Sequence, residues 1–404
     1  MFSAFIGNLF KDKPDQDRFA RKFIDAVRGN GYPDELEYEA DSFRIRHANG
    51  SYFNLHNAYH AYLGAPRGQQ RKTLQSFSRL LGIHDNDEAM SWEQVRPLLR
   101  PLVRSITQLE ELMLHHAEQE GWDASPLHLQ YRRLSEECVE LLAVDHPDHT
   151  ATLTRGPEEA WGIDFEQALV IARANLRQSP DTPFVEVMPG VYQAAWADAY
   201  DSSRALLPDL LHRVPVAGLP VFMLASRDVL LVAGEGDLQA QAHMLELAAN
   251  AFNDGRVISW EVLRYDEGRL HAHTLATAEL RERQRQLRLE LDANAYAQQK
   301  QSLDRVHEKH AEDVFVANFM IHTEEQRSLC AWTEGVASSL PRTDRIVLVT
   351  PVDGQDADML VVDWEQAQPV LGHLLREDSR HIHPPRYLTL GFPDAQMRAQ
   401  LQAL

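Results

Sequence analysis

Asp198-Ala-Tyr-Asp-Ser-Ser-Arg204 and Ser226-Arg-Asp-Val-Leu-Leu231 fall within residues 164–270, where apolar residues recur alternately with helical and with strand periods. The spacing predicts a helix over 165–176 and a strand pair over 184–196 turned at Pro189-Gly190. A helix over 201–211 follows, with the Asp201 carboxylate placed to cap its first N–H groups. Two short apolar strands, 221–224 and 229–232, turn around Arg227-Asp228. A helix over 238–252 and a hairpin of 257–263 with 270–274, across Asp266-Glu-Gly268, complete the stretch. Strands joined by tight turns pair antiparallel, so the class is α+β, with mixed helix and antiparallel sheet units.

Working outward, a helix over 18–28 ends at Gly29-Asn-Gly31, and strands are expected within 36–63 around the Ala48-Asn-Gly50 hairpin signal. Helices are expected over 71–81 and 92–118, the second broken near Pro101, and strands over 127–153 around a loop at 145–149. Residues 276–312 change to Arg, Gln, Glu and Ala without Gly or Pro, a helical connector. Asn294 and Gln301 interrupt the seam begun at Leu280 and Leu287, which favours an intramolecular spacer over a dimerising helix. The remainder reads as strand 314–321, helix 324–337, strands 345–349 and 359–362, helix 365–375, strand 386–390 and helix 395–401. That is the β-α-β-β-α-β order of a ferredoxin-like domain with an added helix. The expected divisions are an amphipathic segment (1–13), an N-terminal α+β region (14–98), a composite α+β region (99–275), the connector (276–312) and the C-terminal ferredoxin-like domain (313–404).

Hydrophobic residues make up 44% and charged residues 25% of the 404 positions, a composition that folds and is long enough for at least two cores. A formal net charge of -20 sets long-range electrostatics against nucleic-acid backbones and anionic lipid, so nucleic acid is not an expected partner. Cys138 and Cys330 lie far apart and suggest no disulfide framework, which fits a reducing cytoplasm. The sequence has no apolar run of about 18 residues and no leader-like n- and h-regions at its start, so neither a membrane span nor secretion is expected.

Several pieces occur in a characteristic order: Asn175-Leu176, Gly190-Val-Tyr192, Tyr200-Asp-Ser-Ser-Arg204, Arg227-Asp-Val-Leu-Leu231, Phe252 and Tyr265-Asp-Glu-Gly-Arg-Leu270. As a set they resemble the bacterial domain-of-unknown-function family 1444, the YtpQ-like proteins, over roughly residues 100–270. Residues 19–63 are similar to the larger members, whereas the connector and C-terminal region lie outside the resemblance. The resemblance brings no catalytic residues with it.

Asp198, Tyr200, Asp201, Ser203 and Arg204 place carboxylates, a phenol and a guanidinium within about two turns, and Arg227 with Asp228 is expected across a sheet. The cluster is a candidate ligand or partner surface built on a guanidinium fork, set against the simpler reading in which Asp201 caps a helix and Arg204 pairs with a neighbouring carboxylate. Phe2, Phe5, Ile6, Leu9 and Phe10 form one helical face followed by Lys11 and Lys13, a docking stripe for protein or, less favoured, for a lipid interface. The paired histidines 146/149, 271/273, 307/310 and 381/383 match no metal-ligand spacing and are expected to be solvated, so no metal and no cofactor is expected. Gly234-Glu-Gly236 lacks the dinucleotide spacing, no Gly-x-Ser-x-Gly is present, and Glu136-Glu137 beside Cys138 disfavour a thiolate. The expected function is therefore a non-catalytic cytoplasmic protein-binding module; the sequence does not identify its partner, and a partner with a basic surface would associate faster through electrostatic steering. The alternatives are an enzyme acting on a small charged substrate at Asp198, Asp201, Arg204 and Arg227, and a peripheral membrane protein held by its first ten residues.

Overall fold

In the computed structural model, residues 13–404 are described, apart from 33–34, 41–42, 48–51, 56–57, 60–61, 64, 67, 81–89, 126, 147–149, 180–181, 253–256, 353–355 and 404. The Phe2–Phe10 stripe and the Ala48-Asn-Gly50 turn therefore lie outside the described residues. The chain forms two compact units, one of Met1–Pro97 with Asp145–Ala151, the other of Leu98–Val144 with Thr152–Leu404.

The first unit closes around aromatic residues. Helix α1 (Lys13–Gly29) turns Phe19, Phe23 and Val27 onto strands β1 (Leu36–Glu39), β2 (Arg44–His47) and β3 (Tyr52–Asn54), which pair antiparallel in that order. Phe19 meets Tyr59 at 5.2 Å and Phe23 stacks on Phe53 at 5.2 Å, spacings at which aromatic pairs add to simple burial. Helix α2 (Gln70–Leu80) adds Leu74 and Phe77 to this core, and a short helix, α3 (Trp92–Val95), follows.

The second unit begins with a strand where a helix was expected. Residues 92–118 were expected to be helical with one break, yet β4 (Leu99–Ser105) intervenes before α4 (Thr107–Glu120). Pro101 is compatible with β4 because this strand is outermost in its sheet, where a missing N–H breaks no ladder. Its partner is β6 (Cys138–Asp145), which also pairs with β5 (Arg132–Arg133), and β7 (Thr150–Thr152) follows. Helix α5 (Phe165–Arg177) starts with an Asp164/Gln167 capping box.

A six-stranded antiparallel sheet follows. Its members are β8 (Val185–Met188), β9 (Val191–Gln193), β10 (Pro220–Ser226), β11 (Val229–Gly234), β12 (Val262–Asp266) and β13 (Arg269–Ala272), ordered β13-β12-β10-β11-β9-β8. The hairpins expected at Pro189-Gly190, Arg227-Asp228 and Asp266-Glu-Gly268 are all present. At the last, Glu267 and Gly268 take φ of 46° and 76°, the left-handed pair that a two-residue turn needs to follow strand twist. Along β10, Val221, Met223 and Ala225 face helix α7 (Leu238–Phe252), while Phe222 and Leu224 face Ala205, Leu206 and Leu211 of the preceding segment, which includes α6 (Pro208–Leu211). Both faces are covered, which is why this strand reads as an unbroken apolar run.

Helix α8 (Ala278–His310) fills the connector, about 50 Å long at the usual rise. It lies against its own unit: Leu280 and Leu287 join the α7 core, and Leu303 packs with Leu114 and Val316. The C-terminal region departs from the ferredoxin-like expectation. Residues 324–337, expected to be helical, contain β16 (Arg327–Thr333), and the single strand expected over 314–321 is two short ones, β14 (Phe315–Val316) and β15 (Met320–His322). The Glu-Glu-Gln-Arg composition favoured helix. Side-chain alternation won, because Ser328, Cys330 and Trp332 face inward at a period of two after a turn with Gln326 at φ 51°. With β17 (Ser338–Pro341), β18 (Arg345–Thr350), β19 (Asp358–Asp363), β20 (Leu375–Glu377) and β21 (Arg386–Thr389), the result is two four-stranded sheets, β14-β17-β21-β20 and β15-β16-β18-β19. Helices α9 (Trp364–Leu371) and α10 (Ala395–Gln402) complete a core around Trp332, Leu348 and Trp364.

Candidate functional site

The polar residues expected to gather at 198–228 do gather, where the loop after β9 meets the β10–β11 turn. Arg204 is 1% exposed. Its Nη1 and Nη2 donate to the two Asp198 carboxylate oxygens at 2.7 and 2.5 Å, and its guanidinium lies 4.4 Å from the Trp196 ring centroid. Burial acts to raise the Asp198 pKa, but the Arg204 hydrogen bonds, the Tyr200 N–H and the Arg204 charge hold it below the ordinary range. The Arg204 fork is thus buried and spent on Asp198, whose own carboxylate stays exposed, and it is not a free surface fork.

Asp201 does not cap the following turn. Its Oδ1 accepts from the backbone N–H groups of Trp196 and Ala197 at 3.0 and 3.3 Å, drawing the chain back on itself, and burial raises its pKa. The expected helix over 201–211 is a 3-10 turn over Ser202–Leu206 followed by α6, whose first residue is Pro208. Ala197 and Ala199 hold φ of 52° and 70°, a left-handed conformation that alanine adopts only when its surroundings fix it. The Ser203 hydroxyl accepts from Val103 N–H of β4 at 3.0 Å, and the Ser202 hydroxyl donates to the Ser226 carbonyl at 2.5 Å. Tyr200 packs with Leu102 and Leu207. Arg227 donates from Nε to the Ala199 carbonyl at 3.3 Å and lies 3.9 Å from the Asp228 carboxylate. The cluster ties β4 and the β10–β11 turn to the loop that joins β9 to β10.

A second polar cluster, unforeseen as a unit, joins α4, α8 and the 378–386 loop. Arg386, 0% exposed, donates from Nε to Gln299 Oε1 at 2.7 Å and from Nη1 to the Ala317 and Ser339 carbonyls. Gln299 Nε2 passes the link to Glu110 at 2.9 Å, so a buried arginine and a buried carboxylate are bridged through an amide. Burial holds the Arg386 pKa down to about 10. The Glu110 carboxylate also accepts from His381 Nδ1 at 2.7 Å and from the Ile382 and His383 N–H groups. Nearby, His383 Nε2 lies 3.3 Å from Glu137 and close to Asp292. Burial acts to lower the His383 pKa, but Glu137 and Asp292 raise it above the usual value. Burial pushes Asp292 up to about 6, against the pull of Arg288. The 307/310 and 381/383 histidines are accordingly structural and not solvated: His307 bonds the Val314 carbonyl and His310 the Glu118 carbonyl. Burial, followed by Glu261 and Glu137, raises the Cys138 thiol far above its usual range, which keeps it protonated.

The uncommitted chemistry lies on the β15-β16-β18-β19 sheet. Its inner face carries Cys330, Trp332, Ile346 and Leu348 into the core. The outer face should be polar if it met only water, yet registered pairs place Leu329, Ala331, Val347, Val349, Met359 and Val361 there. Met359 is 65% and Val361 52% exposed, and the other four are half-buried. Arg345 on the same face is paired to Glu325 at 2.6 Å. The sequence signal was apolar residues at both parities of consecutive strands, and it was lost when 324–337 read as helix.

Compared with known protein families, curated proteins and solved structures, the chain matches none. Among the described residues, no group of three or more His, Cys, Asp or Glu is arranged to hold a metal ion, and no helix is long and apolar enough to cross a membrane.

Proposed function

We propose that this protein is a non-catalytic protein-binding module of the bacterial cytoplasm, built on a YtpQ-like region, which docks a partner on the outer face of the β15-β16-β18-β19 sheet. The supporting observation is the apolar row Ala331–Val347–Val361 with Val349–Met359 beside it, on a sheet face where Met359 and Val361 stay exposed. Contiguous apolar surface of this kind is retained where it is buried on association. Two buried free thiols are compatible with a reducing compartment. The enzyme reading loses its central group, because the Arg204 fork is spent on Asp198.

The test is affinity retention of the tagged full chain at low and high salt beside Val347→Lys. Proteins retained by the native chain and lost from a Val347→Lys variant of unchanged thermal stability support the reading. An unchanged set of retained proteins overturns it.

A further inference from the structure

We propose that the partner contributes an extended segment rich in basic and apolar residues, which adds to the outer edge of β19 as a fifth strand of the sheet. This rests on the docking reading above and specifies its partner. β19 is the terminal strand in the order β15-β16-β18-β19, and its six residues pair with β18 in unbroken register from Asp358 to Asp363. Among the described residues nothing bonds the outer row of its backbone N–H and C=O groups. An open row of that kind is a template for another chain, and proteins that do not use it protect it with proline, lysine, a bulge or shortness.

The other outermost strands of the unit show those protections. β4 carries Pro101 and is buried, β8 has a register irregularity between Glu186 and Met188, and β13, β14, β15 and β20 have two to four residues each. β19 is Asp-Met-Leu-Val-Val-Asp, longer than all of these but the proline-bearing β4, and without proline, glycine or lysine. Its alternation defines what fits. Met359 and Val361 project onto the open face, so an added strand can place apolar side chains beside them and extend the buried row.

Charge sets the other half of the specificity. From residue 351 to 375 the sequence carries five carboxylates (Asp353, Asp356, Asp358, Asp363 and Glu365) and no lysine or arginine. Arg398 reaches back to Asp358 and Arg342 to Glu365, so among the described residues the remaining negative charge is that of Asp356, just before β19, and Asp363, at its end. A segment alternating lysine or arginine with valine or isoleucine satisfies both the apolar row and this field, whereas an acidic segment is repelled.

The experiment uses the full chain and end-blocked peptides of alternating Lys-Val, Glu-Val and Lys-Pro, with backbone hydrogen exchange read by mass spectrometry. Lys-Val at millimolar concentration should slow exchange across 358–363 about 10-fold, less so at high salt, while Glu-Val and Lys-Pro leave it unchanged. No slowing at 358–363, or equal slowing by Lys-Pro, overturns strand addition. If that occurs while Val347→Lys still removes the cellular partner, only the edge proposal falls. If Val347→Lys removes nothing either, the docking reading falls with it.

Discussion

Replacing Asp292 with asparagine should stabilise the second unit by an amount that grows with pH. Asp292 lies on α8, its Oδ2 3.3 Å from Arg288 Nε, with Glu137 adding negative charge. The unfolded chain ionises this carboxyl near 3.8 and the folded chain near 6, so between those values the folded state holds a proton that the unfolded state has released. Stability from this group therefore falls as pH rises through the window. Integrating the shift, it opposes folding by about 0.5 kcal/mol at pH 4 and about 2.5 kcal/mol at pH 6. Asparagine does not titrate, so the variant should gain about 2 kcal/mol on the native protein between those two pH values. Confining the comparison to this range keeps His383 charged in both states: its raised pKa gives stability that is present below about 6.5 and lost only as pH rises through the folded value. The assay is urea unfolding followed by tryptophan fluorescence at several pH values from 4 to 6, on both proteins. A stability difference that stays constant across the window, or that moves against the variant, would refute the reasoning and mean that Asp292 is ionised throughout in its pair with Arg288.

Arg204→Met and Arg204→Lys should each lower stability by about 1.5–3 kcal/mol, because the charge-assisted bonds to the exposed Asp198 carboxylate are lost and lysine has no planar fork to stack on Trp196. A lysine variant within about 1 kcal/mol of native in urea unfolding would contradict this. Asp198, its pKa lowered, gives stability that is present above the ordinary carboxylate range and lost as pH falls through its folded value. Asp198→Asn should accordingly flatten the acid side of the stability profile, and an unchanged acid slope would count against the pair. Gln299→Leu should cost about 2–4 kcal/mol by cutting the amide between Arg386 and Glu110, read as a lower thermal midpoint. A neutral effect would mean that the two charges are held without the bridge.

How much of this was legible depended on whether a feature was local. The hairpins at Pro189-Gly190 and Glu267-Gly268 were legible because a left-handed turn leaves its mark on two adjacent residues. Strands β10 and β11 were legible as apolar runs with a polar turn. β4 was hidden by its two flanking helices and by Pro101, which is forbidden in a central strand but permitted at an edge. β16 was hidden by a helix-favouring prefix, and with it went the four-stranded sheet and its open face. At 198–228 the membership of the cluster was legible. Its purpose was not, since whether a guanidinium fork points outward or onto its own Asp198 is fixed by tertiary packing. The bridge from Glu110 through Gln299 to Arg386 spans three distant segments and left no pattern at any spacing.

The most direct test of the docking face is site-specific photo-crosslinking in living cells. A benzophenone side chain would be placed singly at Val347, at Val361 and, as a control, at Val170, which is 65% exposed on α5. A discrete protein adduct of the same mass from Val347 and Val361, absent from Val170, is the predicted result. Adducts equally abundant and heterogeneous at all three positions, or none at Val347 and Val361, would contradict it.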